Sequence, residues 1–121
     1  MPTQEKRDKV REMRESLEAS GSVYLTEFEG LTVAEATELR GQLLEAGGRM
    51  QVVKNRLLKI AVEDTPYESL SELLLGPNAV TYCAEDPIAP LKVLTDFADD
   101  HDQPPVKAGV VEGERLSPEE L

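Results

Sequence analysis

The sequence predicts an α/β fold of the α+β type, because segments with apolar residues at strand spacing alternate with segments that repeat them at helical spacing. Four strands are predicted, and with the helices between them they follow the order β-α-β and again β-α-β. That order is typical of a split β-α-β, ferredoxin-like plait. We therefore expect a four-stranded sheet with helices on one face and an extra N-terminal helix before it.

The chain length of 121 residues fits one domain with a modest core. We place this domain at residues 1–112, with the extra helix in residues 1–20 and the α/β core in residues 22–112. Residues 113–121 are predicted to begin a C-terminal linker or helix, because Ser117-Pro118-Glu119-Glu120 is a helix start signal with almost no chain after it. We expect the natural chain to continue beyond Leu121.

The first helix is predicted over residues 4–19 and ends at Ser20-Gly21. At 100° per residue, Arg7, Arg11 and Arg14 share one flank of its apolar stripe. These arginines can give the helix a basic edge, or they can pair with acidic neighbours such as Asp8 and stabilise the helix. The two functions are compatible, so the sequence leaves both open.

The first β-α-β unit follows this helix. A strand is predicted for Ser22–Phe28. Thr32-Val33-Ala34-Glu35 matches the capping box, in which the hydroxyl and the carboxylate each accept a hydrogen bond from the other residue's backbone N–H. The helix that begins there is predicted to end before Gly47, the natural residue for a left-handed C-terminal turn.

The stretch Gly47–Lys59 contains a predicted buried strand that runs directly into another helix. Val52-Val53 is β-branched and indicates the strand, and Asn55 is the predicted N-cap of the helix. A helix N-terminus exposes unpaired N–H groups and favours an anion such as phosphate, whereas the alternative is a capped helix with solvated charges. The cations that surround this junction are Lys54, Arg56 and Lys59.

The second half of the chain contains the remaining predicted elements. Thr65-Pro66-Tyr67-Glu68 is predicted to cap a short helix, and Ala79–Ala84 to form the third strand. A helix is expected from Asp86-Pro87 to about Asp100, and the fourth strand at Val106–Val111. The residues expected to face inward from the long helix are Ile88, Leu91, Leu94 and Ala98, with Phe97 beside them.

Several classes of protein are disfavoured by the residue inventory. The single cysteine, Cys83, lies in an apolar run, and the single histidine, His101, lies among aspartates, so no Cys/His catalytic pair is expected. The aspartates at 96, 99, 100 and 102 form either a solvated helix end or a weak cation site, and their spacing does not match a Ca²⁺ loop. No apolar run approaches the ~20 residues of a membrane span. We predict a cytoplasmic protein that is not an enzyme and has no metal or cofactor.

The charge is unevenly distributed along the chain. The net charge is −11, yet residues 1–59 hold ten Lys/Arg and ten Asp/Glu, whereas residues 60–121 hold three Lys/Arg and fourteen Asp/Glu. An acidic second half repels phosphate, so a nucleic acid could contact only the first half. The acidic excess is equally consistent with a solubility device or a salty cytoplasm.

Five groups of motifs occur in order along nearly all of the chain. They are Gly30-Leu31-Thr32-Val33 with Glu38-Leu39-Arg40, Val52-Val53-Lys54-Asn55-Arg56-Leu57-Leu58, Leu75-Gly76-Pro77-Asn78-Ala79-Val80, Glu85-Asp86-Pro87 with Asp96-Phe97-Ala98, and Gly109-Val110-Val111-Glu112-Gly113. Each motif alone is weak, but their serial agreement is specific. Together they resemble the N-terminal domain of the bacterial large-subunit ribosomal protein L10 family, the anchor of the ribosomal stalk.

The resemblance implies a non-enzymatic protein that docks on large-subunit rRNA at the stalk base, beside neighbouring stalk-base ribosomal proteins. In that family a C-terminal helix, which this chain lacks after Leu121, carries dimers of the acidic stalk protein L12 that recruit translational GTPases. The expected rRNA contacts are the Lys-Asn-Arg-Leu motif at Lys54–Leu57 with Lys59, and the basic side of the first helix. Members often have a basic residue where this chain has Glu29, so no phosphate contact is assigned there.

Two alternatives remain open at this point. A ribosome-assembly factor with the same domain would not need a C-terminal helix that binds stalk proteins. A ferredoxin-like regulatory module for a small ligand would need a dimer and a glycine-lined pocket at a helix edge.

Overall fold

The structure is a computed structural model that describes residues 3–101 and 105–120. Its α-helices are α1 (Gln4–Glu18), α2 (Val33–Glu45), α3 (Asn55–Ala61) and α4 (Ile88–His101). Its strands are β1 (Ser22–Glu27), β2 (Gly48–Val53), β3 (Asn78–Cys83), β4 (Val106–Val111) and β5 (Glu114–Leu116). Two 3₁₀ helices span Glu68–Leu73 and Pro118–Glu120.

The strands form one antiparallel sheet in the order β2-β3-β1-β4-β5. Its first four strands have the order expected of a ferredoxin-like plait, so the predicted α+β class is confirmed. The predicted strand count of four is wrong by one. Glu114–Leu116, which the sequence assigned to a linker, folds back through a turn with positive φ at Glu112 and Gly113 and pairs with β4.

Helices cover both faces of the sheet, so the prediction of helices on one face is wrong. Alternate residues of β1 show the two cores, because successive side chains in a strand point to opposite faces. Val23 and Leu25 belong to a core with residues of α1 and α3, whereas Tyr24 belongs to a second core with residues of α2 and α4. The extra N-terminal helix and α3 therefore form a third layer.

Helix α2 begins and ends as the sequence predicts. Thr32 Oγ1 accepts a hydrogen bond from Glu35 N at 3.1 Å, and Glu35 Oε1 accepts one from Thr32 N at 3.0 Å. The bond from Thr32 N to the carboxylate, together with the Thr32 hydroxyl, favours the ionised form and lowers the pKa of Glu35. Gly47 follows the helix with a φ of +89°, a conformation that L side chains rarely adopt.

The predicted cap at Thr65 is wrong. Thr65 Oγ1 accepts a hydrogen bond from Tyr67 N at 3.2 Å, so it forms a local turn. The carboxylate of Glu68 accepts from Asp64 N at 2.7 Å instead of from Thr65. A 3₁₀ helix begins only at Glu68 and has no side-chain cap.

Helix α4 is rotated from its predicted orientation. Its buried residues are Pro90, Leu94 and Phe97, whereas Ile88 is 72% exposed and Leu91 and Ala98 are half-buried. Pro90 packs closely on β2, since a Cβ added at Gly48 would lie 3.1 Å from Pro90 Cβ. Hydrophobic spacing alone did not reveal that contact.

Two predictions concern the ends of elements in the second half. At the last start signal, Glu120 Oε1 accepts from Ser117 N at 3.2 Å, and a short 3₁₀ helix follows. Asp96, Asp99 and Asp100 are exposed on α4. Asp102, the last member of the predicted acidic run, lies outside the described residues.

Candidate nucleic-acid interface

The junction between β2 and α3 holds Lys54, Arg56 and Lys59 on the surface. Lys54 is the N-cap residue of α3, with φ −84° and ψ 123°, and no side chain caps the helix. Arg56 and Lys59 lie on the side of α3 opposite its buried residues, which are Leu57, Leu58 and Ala61. All three cations are exposed, and none forms an ion pair within the described part of the chain.

The predicted cap residue Asn55 has a different position and role. It is the first residue inside α3, and its Nδ2 donates a hydrogen bond to Gly76 O at 2.8 Å. Its Oδ1 accepts a hydrogen bond from Asn78 Nδ2 at 2.8 Å. Both ends of this amide are therefore used within the protein, and Asn55 ties α3 to the loop before β3.

Two features of the junction differ from the sequence-based expectation. The strand is not buried throughout, because Val52 is 44% exposed while Val53 is buried. Helix α3 has only seven residues, so its macrodipole is small. The electrostatics of this junction therefore depend on the three cationic side chains rather than on the end of the helix.

Arg14 connects α1 to the other end of α3. Its Nη2 donates to Ile60 O at 2.9 Å, and its Nε donates to Ala61 O at 3.3 Å. These carbonyls are in the last turn of α3, where helical acceptors lack an intrahelical donor and a cation is favourable. Arg14 is thus a brace between two helices, and this arrangement places the basic flank of α1 beside α3.

The other two arginines of α1 are less constrained. Arg11 donates to the carboxylate of Asp8 at 2.6 Å, in a pair whose side chains are 66% and 41% exposed. A pair this exposed contributes at most about 1 kcal/mol. Arg7 is exposed to solvent. The structure thus gives Arg11 the helix-stabilising pair that the sequence left open, and leaves Arg7 available to an anion.

Arg49 is a further cation on this side that was not among the predicted contacts. Its guanidinium lies 4.8 Å from the ring centroid of Tyr82, and its Nη2 donates to Ser16 Oγ at 2.7 Å. Burial raises the pKa of Tyr82 to about 12, so the phenol stays neutral and donates to Gln51 Oε1 at 2.8 Å. The only sequence signal was the position of Arg49 in the strand that leads to Lys54.

The helices on the two faces of the sheet differ in charge. Helix α3 and its cap contain three cations and no acidic residue, and α1 contains five of each sign. On the other face, α2 has three glutamates and one arginine, and α4 has three aspartates and one lysine. We call the surface formed by Arg7, Arg11, Arg14, Lys54, Arg56 and Lys59 the α1/α3 face.

The groups considered for other chemistry have structural contacts. Burial raises the pKa of the Cys83 thiol to about 12, so it remains protonated in the core. His101 stacks on Phe97 with ring centroids 3.9 Å apart, and its Nε2 lies 3.9 Å from Glu35 Oε2.

Within residues 3–101 and 105–120, no group of three or more His, Cys, Asp or Glu is placed to hold a metal. None of the described helices is long and apolar enough to cross a membrane.

Comparison with known proteins identifies the family. The family model described as ribosomal protein L10 matches residues 1–99. The large ribosomal subunit protein uL10 of Bacillus cereus (strain B4264) is 47% identical over 116 residues, which are 96% of this chain and 70% of the relative. The uL10 of Bacillus anthracis (strain CDC 684 / NRRL 3495) gives the same values. The family is a structural one, which confirms the prediction that the chain is not an enzyme. The chain belongs to the ribosomal protein L10 family.

Proposed function

We propose that the α1/α3 face of this large-subunit ribosomal protein of the cytoplasmic ribosome binds rRNA at the base of the stalk. Its expected neighbours are other stalk-base ribosomal proteins. We assign the anchoring of L12 dimers, which recruit translational GTPases, to a C-terminal helix outside these 121 residues. The aligned region is 70% of the length of the relatives.

The proposal depends on one observation, which is the exposure of the cations on α3 and at its N-cap. Lys54, Arg56 and Lys59 are exposed and without acidic partners among the described residues, in a protein whose net charge is −11. Holding like charges together without partners is unfavourable, so their clustering favours an anionic ligand. A polyanion such as rRNA meets several of them at once.

The proposed mode of binding is recognition of shape and of backbone phosphates. Lysine and arginine release counterions when they contact phosphates, which makes the affinity depend on salt. Stacking on bases contributes little, because Tyr24 is buried and Phe28 is half-buried. The acidic helices α2 and α4 repel rRNA from the opposite face, so the protein docks in one orientation.

The test is the double variant Lys54→Glu with Arg56→Glu, assayed for binding to large-subunit rRNA fragments over a series of salt concentrations. We expect the affinity at low salt to fall by on the order of a hundredfold. The plot of log affinity against log salt should become less steep by about 1 for each lost phosphate contact. An unchanged slope would remove these residues from the interface.

The matched control is Arg40→Glu with Lys92→Glu, which makes the same change in net charge on α2 and α4. Both residues are exposed. We expect a loss of affinity of less than about threefold, through long-range repulsion alone. A loss equal to that of the α3 variant would show that net charge, and not the α1/α3 face, governs binding.

A further inference from the structure

The loop before β3 holds an apolar side chain in solvent. Leu75 is 76% exposed, and Gly76 next to it has a φ of +68°. Isolated exposed leucines are common on protein surfaces, and exposure by itself has no meaning. What distinguishes Leu75 is the number of side chains that fix the backbone of its loop.

Each carbonyl of Leu75-Gly76-Pro77 accepts a hydrogen bond from a different part of the fold. Lys107 Nζ donates to Leu75 O at 2.8 Å, and Asn55 Nδ2 donates to Gly76 O at 2.8 Å. Asn78 Nδ2 donates to Gly76 O at 3.0 Å. The backbone N–H of Phe28 donates to Pro77 O at 3.0 Å. The loop is therefore held in one conformation by α3, β3, β4 and the end of β1.

Asn78 makes this arrangement at a cost. The residue is fully buried, and its Oδ1 has no hydrogen-bond partner among the described atoms. A buried unsatisfied oxygen is unfavourable and requires an explanation. Here the amide is oriented by its Nδ2, which donates to Asn55 and to the loop. The orientation of the Asn78 amide that fixes the loop against α3 thus leaves its Oδ1 without a hydrogen bond among the described atoms.

The position of the loop relates it to the α1/α3 face. The 2.8 Å bond from Asn55 to Gly76 places Leu75 beside a residue whose two sequence neighbours are Lys54 and Arg56. The loop carbonyls are directed at donors of the protein, so their negative dipoles do not face an approaching anion. The exposed Leu75 thus lies next to the segment that carries the exposed cations Lys54 and Arg56.

We propose that Leu75 is an apolar contact of the rRNA interface, which packs on a ribose or base face while Lys54 and Arg56 hold the adjacent phosphates. Asn55 is the positioning residue, because it fixes the loop relative to those cations. The proposal rests on the proposed function, since it names the occupant as rRNA. Charge complementarity selects that occupant over an apolar protein surface.

The experiment measures rRNA-fragment binding by Leu75→Ala, Leu75→Met and Ile88→Ala at several salt concentrations. Loss of an apolar contact should weaken the binding of Leu75→Ala about fivefold at every salt concentration, with an unchanged salt slope. Leu75→Met conserves the volume and should bind within about twofold of the unchanged protein. Ile88→Ala, at a residue that is 72% exposed on α4, should bind like the unchanged protein.

The result that overturns the proposal is an affinity for Leu75→Ala equal to that for Ile88→Ala. This outcome leaves the proposed function intact if the Lys54→Glu/Arg56→Glu variant still loses affinity. Failure of the unchanged protein to bind any large-subunit rRNA fragment would instead overturn both.

The positioning role of Asn55 is tested by a double-mutant cycle between Asn55→Ala and Leu75→Ala. If Asn55 acts through the loop, the second substitution should change the affinity by less than about twofold once the first is present. Independent, multiplying losses would overturn the positioning role. Thermal unfolding of each variant checks that it folds. If Asn55→Ala does not fold, the Leu75 variants still test the apolar contact, because Leu75 lies on the surface.

Discussion

The two faces of the sheet are covered by helices that are attached in different ways and expose different charges. On one face α2 is closed by its own capping box, and α2 and α4 together expose more acidic than basic residues. On the other face α3 has no side-chain cap, and a residue of α1 binds the carbonyls at its end. The start of α2 is therefore satisfied by residues close in sequence, whereas the end of α3 is satisfied by a residue far away in the chain.

This difference bears on how the protein uses its cations. Arg14 is engaged with backbone carbonyls of α3, and Arg11 is engaged with Asp8. Lys54 and Arg56 have no comparable partner in the described residues. Cations of the first half therefore divide into those that contact other groups of the protein and those that are exposed with no ion-pair partner in the described residues.

The largest expected effect on stability is that of Arg14→Ala. The variant removes two hydrogen bonds from a charged donor to the last turn of α3, so the free energy of unfolding should fall by about 1–2 kcal/mol. Urea denaturation measures this change. It should be accompanied by faster amide exchange in α3 than in α2.

Arg7→Ala is the control for the brace, because Arg7 lies on the same flank of α1 but is exposed. Its free energy of unfolding should stay within about 0.5 kcal/mol of that of the unchanged protein. Alanine has the higher helix propensity, so equal destabilisation by the two substitutions would assign the loss to removal of a cation from α1 rather than to the contact of Arg14 with α3.

The parts of the fold that could be predicted depend on neighbours in sequence. Residues close together in the sequence determine the capping box at Thr32 and the turn at Gly47. The order of strands and helices likewise follows from apolar residues that recur every two residues in a strand or every three to four in a helix. The cluster of cations around α3 was also visible in the sequence, because three of them lie within six residues. What they bind stays a prediction.

The parts that could not be predicted depend on partners far apart in the chain. Asn55 resembles an N-cap locally, but its amide meets Gly76 and Asn78, which follow 21 and 23 residues later. The partners of Arg14 lie 46 and 47 residues away. The fifth strand escaped prediction because it has only three residues, two of them exposed.

The next effect in size concerns the cap of α2. Thr32→Ala removes the hydroxyl that accepts from Glu35 N, so the free energy of unfolding should fall by about 1 kcal/mol. Thr37→Ala is the control within the same helix, because the Thr37 hydroxyl only donates to Val33 O and alanine has the higher helix propensity. That variant should be unchanged or more stable by a few tenths of a kcal/mol. A loss of stability in both variants would assign the effect to the threonine methyl groups instead of the cap.

The smallest effect concerns the acidic end of α4. Asp99 and Asp100 are exposed in the last turn, where the negative end of the helix dipole disfavours them, so Asp99→Asn with Asp100→Asn should raise the free energy of unfolding by about 0.5–1 kcal/mol. Glu5→Gln removes a negative charge from the first turn of α1, where the helix dipole favours it, and also removes the ion pair with Lys9. This variant should lower the free energy of unfolding by a few tenths of a kcal/mol. Urea denaturation at low salt distinguishes the two signs, and both effects should shrink in 1 M KCl because the charges are screened. If both variants were stabilised alike, relief of net charge rather than position on a helix would account for the gain.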